Sequence, residues 1–525
     1  MKKTFFISTP IYYASGKLHI GHAYTTTICD AIARYKKMMG YDVFYLTGSD
    51  EHGEKVQQKA KEQGITPKEY VDVLVKNVKD LWKTLNIDYD KFIRTTDDYH
   101  EQCVEKIFSY LLAKGDIYKS EYKGWYCTPC EAFWTESQLK ENHTCPDCGR
   151  ECHTQKEEAY FFRMSKYADQ LMKYYEDHPG FIEPESRKNE MLNNFLKKGL
   201  EDLCVSRTSF DWGVKVKEDP RHVIYVWIDA LANYISALGY NSDNTELFDK
   251  YWHNDENHEI VHIVGKEIVR FHVIYWPIML MALGLPLPTK IYAHGWIVMK
   301  GGKMSKSKGN VFYPETIIDR YGLDALRYFV TSAIPFGQDG LFTPELFIEN
   351  FNNDLVNNYG NLVSRSVSMI QKYFNGVVPN YDGCVLEEDT SLEEEIKTSV
   401  KNYQQYFDQF SIHLALKEIF NLLDKANKYI DDTKPWALAK VSEDVNKLAS
   451  VMNHLINVIK VATVCLQPVL VETAPKVFTQ IGNTYTFDQL LDFSNVNGNK
   501  VNKGEVLFPR LDVNKETEYL LDSMK

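Results

Sequence analysis

The stretch that decides the fold is residues 4–50, TFFISTPIYYASGKLHIGHAYTTTICDAIARYKKMMGYDVFYLTGSD. Its first residues, Thr4 to Thr9, form a short β-rich run. From His19 to Met39, apolar residues recur every three and four positions, which predicts an amphipathic helix. Gly40 is predicted to end this helix, and residues 41–46 predict a second strand. Strand, helix and strand in so short a stretch form a βαβ unit, so we predict an α/β fold with a doubly wound parallel sheet.

Changes of pattern along the chain predict its division into segments. Short aromatic strands and two C-x-x-C pairs indicate an insertion, after which the αβ pattern returns at residues 223–227 and continues through strands at 260–265 and 291–299. Successive amphipathic helices after residue 351 predict an α-helical bundle. We predict a catalytic-domain first half (1–116), an insertion with the cysteines (117–221), a catalytic second half (222–299), a lysine-rich loop and stem (300–350) and the bundle (351–525).

Composition narrows the class of protein. The 525 residues are 44% hydrophobic and 25% charged, which excludes wholesale disorder. The net charge of −12 means that a nucleic-acid partner must be met by local lysine and arginine patches. The apolar run 273–288 contains three prolines, so we predict a buried helix and no membrane span. Ten cysteines, four of them in C-x-x-C pairs, favour metal binding in a reducing cytoplasm over a disulfide framework.

The sequence His19-Ile20-Gly21-His22 lies at the start of the predicted helix, after the first strand. A helix start presents free N–H groups and a positive dipole, which favours phosphate. Gly21 lets a flat base approach the backbone, and the two histidines share one helical face. A surface histidine pair or half a metal site is the alternative.

The sequence Lys303-Met304-Ser305-Lys306-Ser307 lies between Gly301-Gly302 and Gly309. Glycines predict a mobile loop, and its lysines suit charge build-up on a polyphosphate leaving group. A solvated basic loop is the alternative.

Cys127, Cys130, Cys145 and Cys148 follow the pattern C-x2-C-x14-C-x2-C. Two close pairs separated by a loop predict one four-cysteine zinc knuckle, structural because four thiolates leave no open position. A redox pair is the alternative, and Cys152 and His153 are spare ligands nearby.

Together the motifs resemble those of class I aminoacyl-tRNA synthetases, and the chain is similar over nearly its whole length to bacterial methionyl-tRNA synthetases with a single zinc knuckle. The further stretches that carry the resemblance are residues 9–13, TPIYY, 47–53, TGSDEHG, 124–127, GWYC, 225–230, YVWIDA, and 265–268, GKEI.

The resemblance implies a Rossmann-type catalytic domain, an anticodon-binding helical bundle and a two-step reaction. Methionine and ATP give methionyl-adenylate and pyrophosphate, and the methionyl group then passes to the 3′-terminal adenosine of tRNA(Met), the initiator included. By match, His19 and His22 stabilise the transition state, Gly21 and Ser305 complete the ATP site, and Lys303 and Lys306 hold pyrophosphate with Mg²⁺.

The resemblance also implies the methionine site. Asp50 would bind the ammonium group, with a helix cap as the alternative role. A polarizable apolar pocket suits the thioether, and the matching residues are Ile11, Tyr13, Trp227, Ala230, Leu231, Tyr234, Ile268, Phe271 and His272. Several of these have plain helical spacing and are core residues on the alternative interpretation. Glu267 stands where aspartate is common in the family.

In the bundle, Asn361, Arg365 and Trp436 match the family's readers of the CAU anticodon. RNA loops are read by hydrogen bonds to splayed bases and by aromatic stacking. Packing in the bundle core is the alternative role for Trp436.

Two other functions fit part of the pattern. One is another class I synthetase, such as the cysteine or valine enzyme, and the other is an RNA- or zinc-binding protein that kept the fold and lost catalysis. We predict a cytoplasmic enzyme, and a monomer because the chain shows no C-terminal dimerisation domain.

Overall fold

The computed structural model describes residues 2–14, 16–130, 132–134, 136–299, 302–303 and 311–524. Its contacts divide the chain into two compact units. Unit 1 covers residues 1–18 and 40–294, and unit 2 covers residues 19–39 and 295–525.

The secondary structure confirms the predicted α/β class followed by helices. The strands are β1 (Thr4–Ser8), β2 (Tyr12–Tyr13), β3 (Asp42–Asp50), β4 (Lys91–Arg94), β5 (Ile117–Cys127), β6 (Ala132–Trp134), β7 (His153–Phe162), β8 (Ile182–Glu183), β9 (Leu203–Cys204), β10 (Ser206–Arg207), β11 (Val223–Ile224), β12 (His258–Gly265), β13 (Lys290–His294), β14 (Ile297–Met299), β15 (Gly302–Lys303) and β16 (Gly340–Phe342). The helices are α1 (Ile20–Met38), α2 (Glu54–Glu62), α3 (Pro67–Thr84), α4 (Asp98–Ala113), α5 (Ala168–Asp177), α6 (Glu185–Met191), α7 (Val226–Asp229), α8 (Asn233–Ser236), α9 (Glu246–Tyr251), α10 (Trp276–Leu283), α11 (Pro314–Tyr321), α12 (Leu323–Ser332), α13 (Pro344–Asn350), α14 (Asn361–Tyr373), α15 (Glu387–Asp408), α16 (Ile412–Thr433), α17 (Pro435–Leu438), α18 (Val445–Leu466), α19 (Thr473–Ile481) and α20 (Val513–Asp522). Wider π-helical turns occupy Leu192–Leu196, Phe271–Tyr275 and Phe351–Gly360.

Unit 1 is organised around a parallel sheet. β1 pairs with β3 on one side and with β12 on the other, and β12 continues to β13 and β8. β2 pairs with the last two residues of β3, beyond the residues that pair with β1. β4 pairs with the opposite edge of β3. Phe5, Phe6 and Ile7 are fully buried, as expected for a strand covered on both faces.

The cysteine-bearing part of unit 1 forms a second, antiparallel sheet of order β6-β5-β7-β9. Its centre is the long β5–β7 ladder, which runs from the pair Ile117–Phe162 to the pair Tyr126–His153. The tip of this ladder carries the two C-x-x-C pairs. β8 follows β7 and β5 in the chain but is an edge strand of the main sheet.

The predicted single strand at residues 291–299 is wrong. β13 ends at His294, and β14 begins at Ile297 in a different sheet, where it pairs with β16. The cause lies at Gly295, where an added Cβ would be 2.1 Å from the carbonyl oxygen of Gln338. The N–H of Trp296 also donates to Asp339 Oδ1 at 2.8 Å, so close backbone approach ends the strand there.

In unit 2 the helices α14 to α19 form the predicted bundle around α18, and α20 packs against α13. By length and composition the segment Ser442–Leu466 could cross a membrane, but 94% of its apolar window is buried inside the protein. It packs against α14, α15, α16 and α19. Its apolar character is therefore explained by a place in a protein core.

Candidate active site and anticodon surface

The order of the main sheet creates a crevice at the carboxyl ends of β1 and β12. The chain leaves β1 toward β3 on one side, whereas β12 leads to β13 on the other. At such a switch point the connections diverge, and ligands bind in the gap between them. The residues after β1, at the end of β3 and after β12 all line one pocket in unit 1, which encloses about 240 Å³.

This pocket brings together the residues predicted to bind methionine. They are Ile11, Tyr13, Asp50, Trp227, Ala230, Leu231, Tyr234, Ile268, Phe271 and His272. The pocket also has lining residues that sequence reasoning missed, namely Pro10, Lys55, Pro129, Cys130, Val226 and Asn233. Of these, Pro129 and Cys130 lie in the short helical turn Thr128–Cys130 that follows β5 of the cysteine-bearing sheet, so only the tertiary structure could place them here.

One wall of the pocket is aromatic. The rings of Trp227 and Phe271 are stacked, with centroids 3.6 Å apart and planes 18° apart. Trp227 lies in α7, and Phe271 opens the π-helical turn, a feature often found at functional sites. Because α7 and α8 follow one another closely, the spacing 227, 230, 231 and 234 puts these residues on one face. The same spacing would also be expected for a helix face packed in a protein core. In the structure, this face lines the pocket.

A hydrogen-bond chain fixes the polar end of this wall. Nδ1 of His272 lies 3.0 Å from the carbonyl oxygen of Ile268, and Nε2 lies 2.7 Å from the hydroxyl of Tyr234. A carbonyl can only accept, so Nδ1 carries the proton and the Tyr234 hydroxyl donates to Nε2. Burial lowers the pKa of His272 to about 4, which keeps the imidazole neutral at pH 7. The pocket therefore has no positive charge from this histidine.

Asp50 brings a carboxylate to the pocket from the end of β3. Its side chain is 8% exposed. The alternative role as a helix cap is wrong, because Gly53 is the N-cap of α2 and no side chain caps that helix. Asn233 adds a polar group to the lining: its Nδ2 donates to the Ala230 carbonyl, and its buried Oδ1 accepts no hydrogen bond from the described residues.

The residues beside Asp50 anchor it. Glu51 is fully buried and accepts two hydrogen bonds from the guanidinium of Arg94, at 2.7 and 2.8 Å. This fork-to-fork geometry is rigid as well as strong. The sequence resemblance included Glu51, but nothing in the local pattern pointed to Arg94, which is more than forty positions away.

A second anchor connects the end of β3 with α7. Asp229, fully buried, contacts Nδ1 of His52 at 2.7 Å and Nε2 of His100 at 2.8 Å. Burial opposes charge on both His52 and Asp229, but their mutual attraction outweighs it. The pKa of His52 is raised to about 10, and that of Asp229 is lowered to about 2. This ion pair holds the helix that carries Trp227.

The motif His19-Ile20-Gly21-His22 forms the start of α1 in unit 2. His19 is the N-cap, and its Nδ1 accepts from the N–H of Gly21 at 3.1 Å, while Nδ1 of His22 accepts from the N–H of His19 at 3.0 Å. The ring centroids are 4.0 Å apart. Because each Nδ1 is an acceptor, each neutral ring carries its proton on Nε2. The first turn of α1 contains no acidic residue, which suits an anion.

Of the lysine-rich motif, the structure describes Lys303, in unit 2. Gly302 and Lys303 pair with β14 as strand β15. Ser305 and Lys306 lie outside the described residues. After the motif, the carbonyl oxygen of Phe312 accepts from the N–H of Ile20 at 3.0 Å, so the chain returns to the first residue of α1.

The four predicted zinc ligands form one cluster. The sulfur atoms of Cys127, Cys130, Cys145 and Cys148 all lie within 4.8 Å of one another. The Cys127–Cys148 and Cys130–Cys145 distances are 3.5 and 3.8 Å. Zn–S bonds of about 2.3 Å put tetrahedral sulfur atoms roughly 3.8 Å apart, so the donor set fits zinc. Cys152 and His153, the spare ligands, are outside the cluster.

Glu267 lies in the short helical turn directly after β12. Its carboxylate oxygens fold back over Gly265, where an added Cβ would be 2.7 Å from both of them. The longer side chain is thus accommodated over a residue that has no side chain.

The three predicted anticodon readers lie on the helical bundle of unit 2. Asn361 is exposed at the start of α14, and Arg365 on the same helix contacts Asp431 of α16 at 3.4 Å. Trp436 follows α16 after a left-handed residue, Lys434, and is 44% exposed. That exposure contradicts the alternative in which Trp436 is a core residue.

Comparison with known proteins agrees with this arrangement. The family described as tRNA synthetases class I (M) matches residues 5–155 and 148–367, and the anticodon binding domain of methionyl tRNA ligase matches residues 378–521. The methionine–tRNA ligase of Caldanaerobacter subterraneus subsp. tengcongensis is 56% identical over 98% of this chain and 80% of its own length. That of Bacillus subtilis is 54% identical over 99% and 80%.

A solved structure is similar throughout. The methionyl-tRNA synthetase of Mycobacterium tuberculosis bound by methionyl-adenylate superposes with a TM-score of 0.91 at 38% identity, over 97% of this chain and 100% of that one. Two family matches, together with relatives well above 30% identity over nearly all of this chain, show its family. The chain belongs to the methionine–tRNA ligase family of class I aminoacyl-tRNA synthetases.

Proposed function

We propose that the pocket at the ends of β1, β3 and β12 binds methionine, with its thioether against Trp227 and Phe271 and its ammonium group at Asp50. The observation that supports this most directly is an apolar, aromatic pocket with one carboxylate at its edge and a neutral, hydrogen-bonded histidine inside. The thioether is polarizable and packs well on aromatic rings. A cationic ammonium group is stabilised by a carboxylate that is little exposed to water.

The reaction is that of the family. The methionine carboxylate attacks the α-phosphate of ATP, which forms methionyl-adenylate and releases pyrophosphate. A hydroxyl of the 3′-terminal adenosine of tRNA(Met) then attacks the activated carbonyl carbon, and AMP leaves. Positioning and stabilisation of developing charge supply most of such catalysis.

For ATP we assign the start of α1 and the lysine-rich motif. His19 and His22 would donate from Nε2 to oxygens of the α-phosphate, because their Nδ1 atoms are occupied by backbone N–H groups. Gly21 leaves room for the nucleotide against the helix start. Lys303, Ser305 and Lys306 would hold the departing pyrophosphate. Mg²⁺ bound with ATP would neutralise part of that charge.

For zinc we assign Cys127, Cys130, Cys145 and Cys148 as a closed structural site, one ion per chain. Bound zinc would lock the tip of the β5–β7 ladder, and through Pro129 and Cys130 it would fix one side of the methionine pocket. Less than half an equivalent of zinc in freshly purified protein kept free of chelators would overturn this assignment.

For tRNA we assign Asn361, Arg365 and Trp436 as readers of the CAU anticodon, in initiator and elongator tRNA alike. The exposed indole offers a stacking face, and the other two side chains offer hydrogen bonds. We further propose a monomer in the cytoplasm, with the domain boundaries predicted from sequence. Sedimentation at several protein concentrations tests whether the protein is a monomer.

The test of the substrate is ATP–pyrophosphate exchange with each amino acid in turn. We expect exchange with methionine and little with other natural amino acids. Homocysteine should be activated measurably, because one methylene-sized group is worth only about 1–3 kcal/mol. Exchange that depends on cysteine or valine, or no exchange at all, would contradict the proposal.

A further inference from the structure

Unit 2 contains a group of side chains of the types that bind metals, far in sequence from the four-cysteine cluster. Cys384, Glu393 and His454 place one ligand atom each within 4.8 Å of the other two. Cys384 precedes α15, Glu393 lies on α15 and His454 lies on α18. Three elements therefore converge on one point, where sulfur, oxygen and nitrogen donors meet.

The histidine is oriented as a metal ligand. Nδ1 of His454 lies 2.8 Å from the carbonyl oxygen of Ser450, so Nδ1 carries a proton and donates it to that oxygen. Metal-binding histidines ordinarily donate their other N–H in this way, which fixes the ring and its tautomer. The remaining nitrogen, Nε2, then has its lone pair directed at the cluster.

That lone pair faces another acceptor. Oε1 of Glu393 lies 3.1 Å from Nε2 of His454, and both side chains are buried. Two acceptors are stable at this distance only with a positive charge between or on them, either a proton or a metal ion. Metal bonds of about 2.0–2.1 Å at a tetrahedral ion put two ligands roughly 3.3 Å apart, close to the observed distance.

The surrounding groups hold the carboxylate in place. The hydroxyl of Tyr381 donates to Oε1 of Glu393 at 2.6 Å. Asp389, one turn earlier on α15, accepts from the Ser450 hydroxyl at 2.6 Å and from the N–H groups of Val385 and Leu386, the two residues after Cys384. This second layer of hydrogen bonds orders the loop that carries the thiol. Lys397 is paired with Glu394, on the following turn of α15.

From this geometry we propose that Cys384, Glu393 and His454 form a second zinc site, with the fourth position open to water. Thiolate and imidazole favour zinc over magnesium or calcium. One thiolate and one carboxylate balance the charge of the ion, so the site is neutral in a half-buried place. On binding, the Cys384 thiol loses its proton to solvent and forms an S–Zn bond, and the proton shared by Glu393 and His454 is also released to solvent as both side chains bind the ion. The ion would tie the loop before α15 to α18.

The experiment measures zinc per chain in the full-length protein after dialysis against a zinc buffer in the low micromolar range. We expect two zinc ions in the wild type and one in Cys384→Ser. Cys384 is exposed, so this variant should fold normally. Asp382→Asn is the matched control: it alters an exposed acid on the same loop and should keep two ions.

Further variants separate this site from the knuckle. Cys127→Ser should lose the knuckle ion and keep the second, whereas Cys127→Ser combined with Cys384→Ser should hold none. Cobalt in place of zinc should show a thiolate charge-transfer band in Cys127→Ser that disappears in the double variant. One ion in both the wild type and Cys384→Ser would overturn the proposal, as would two ions in both.

Discussion

In the pocket proposed for methionine, the rings of Trp227 and Phe271 are stacked and Tyr234 is hydrogen-bonded to His272, whereas on the bundle surface the indole of Trp436 is 44% exposed. The pocket side chains are therefore explained by packing as well as by binding. An exposed tryptophan is not explained by packing, and it points to a partner. The difference also separates two kinds of recognition: a fixed pocket for a small ligand, and an accessible surface for the splayed bases of an RNA loop.

The largest effect on the pocket should come from Asp50→Asn. The variant keeps the size of the side chain and removes the charge that we assign to the ammonium group. Removing one partner of a little-exposed charge pair costs about 3–5 kcal/mol, so kcat/KM for methionine in pyrophosphate exchange should fall by roughly 150- to 5,000-fold. Asp80→Asn, on the exposed face of α3, is the control. A loss smaller than about threefold would remove Asp50 from the site.

A smaller effect should follow from Tyr234→Phe. The variant leaves Nε2 of His272 without its donor, at a cost of about 1–1.5 kcal/mol. We expect KM for methionine to rise roughly tenfold while KM for ATP stays within about twofold. Tyr110→Phe, which removes a hydroxyl from a half-exposed ring, serves as the control. An equal rise in both constants would show that the hydroxyl supports the fold as a whole and not the pocket.

Replacing His52 should have the smallest effect on activity but a clear effect on stability. Its pKa is raised from 6.5 to about 10 by Asp229 despite burial. The stabilisation is therefore complete below pH 6.5 and is lost as the pH rises toward about 10. Thermal unfolding of His52→Gln should differ most from the wild type between about pH 4 and 6.5, where Asp229 is ionised and His52 protonated, and converge with it toward pH 10. His178→Gln, an exposed histidine, is the control, and a difference independent of pH would contradict the ion pair.

Sequence patterns predicted those parts of the molecule that depend on neighbours in the chain. The helix from His19, its end at Gly40 and the cysteine cluster all follow from local spacing, and the structure has them. The break at Gly295 was not predictable, because it arises from the approach of Gln338, a residue over forty positions away. Arg94 and His100 were missed for the same reason, since they meet Glu51 and Asp229 only in the folded chain.

For the methionine pocket, the spacing of Trp227, Ala230, Leu231 and Tyr234 is the same for a core and for a binding site. Only their common cavity distinguishes the two, and the family resemblance anticipated it. Cys130 was predicted as a zinc ligand, yet the place of Pro129 and Cys130 beside the pocket depends on how two sheets of unit 1 fold together. Exposure of Trp436 likewise depends on the packing of several helices.

The most direct test compares two tryptophans, one in the pocket and one on the surface, in both steps of the reaction. Trp227→Ala and Trp436→Ala are each assayed for pyrophosphate exchange and for tRNA charging, with Val441→Ala as an equally exposed control near Trp436. Base stacking on an aromatic ring is worth about 1–3 kcal/mol, so Trp436→Ala should lose roughly 5- to 150-fold in charging and keep its exchange rate. Trp227→Ala should lose both activities together. Equal loss of exchange and charging in Trp436→Ala would contradict the division between a methionine pocket and an RNA-reading surface.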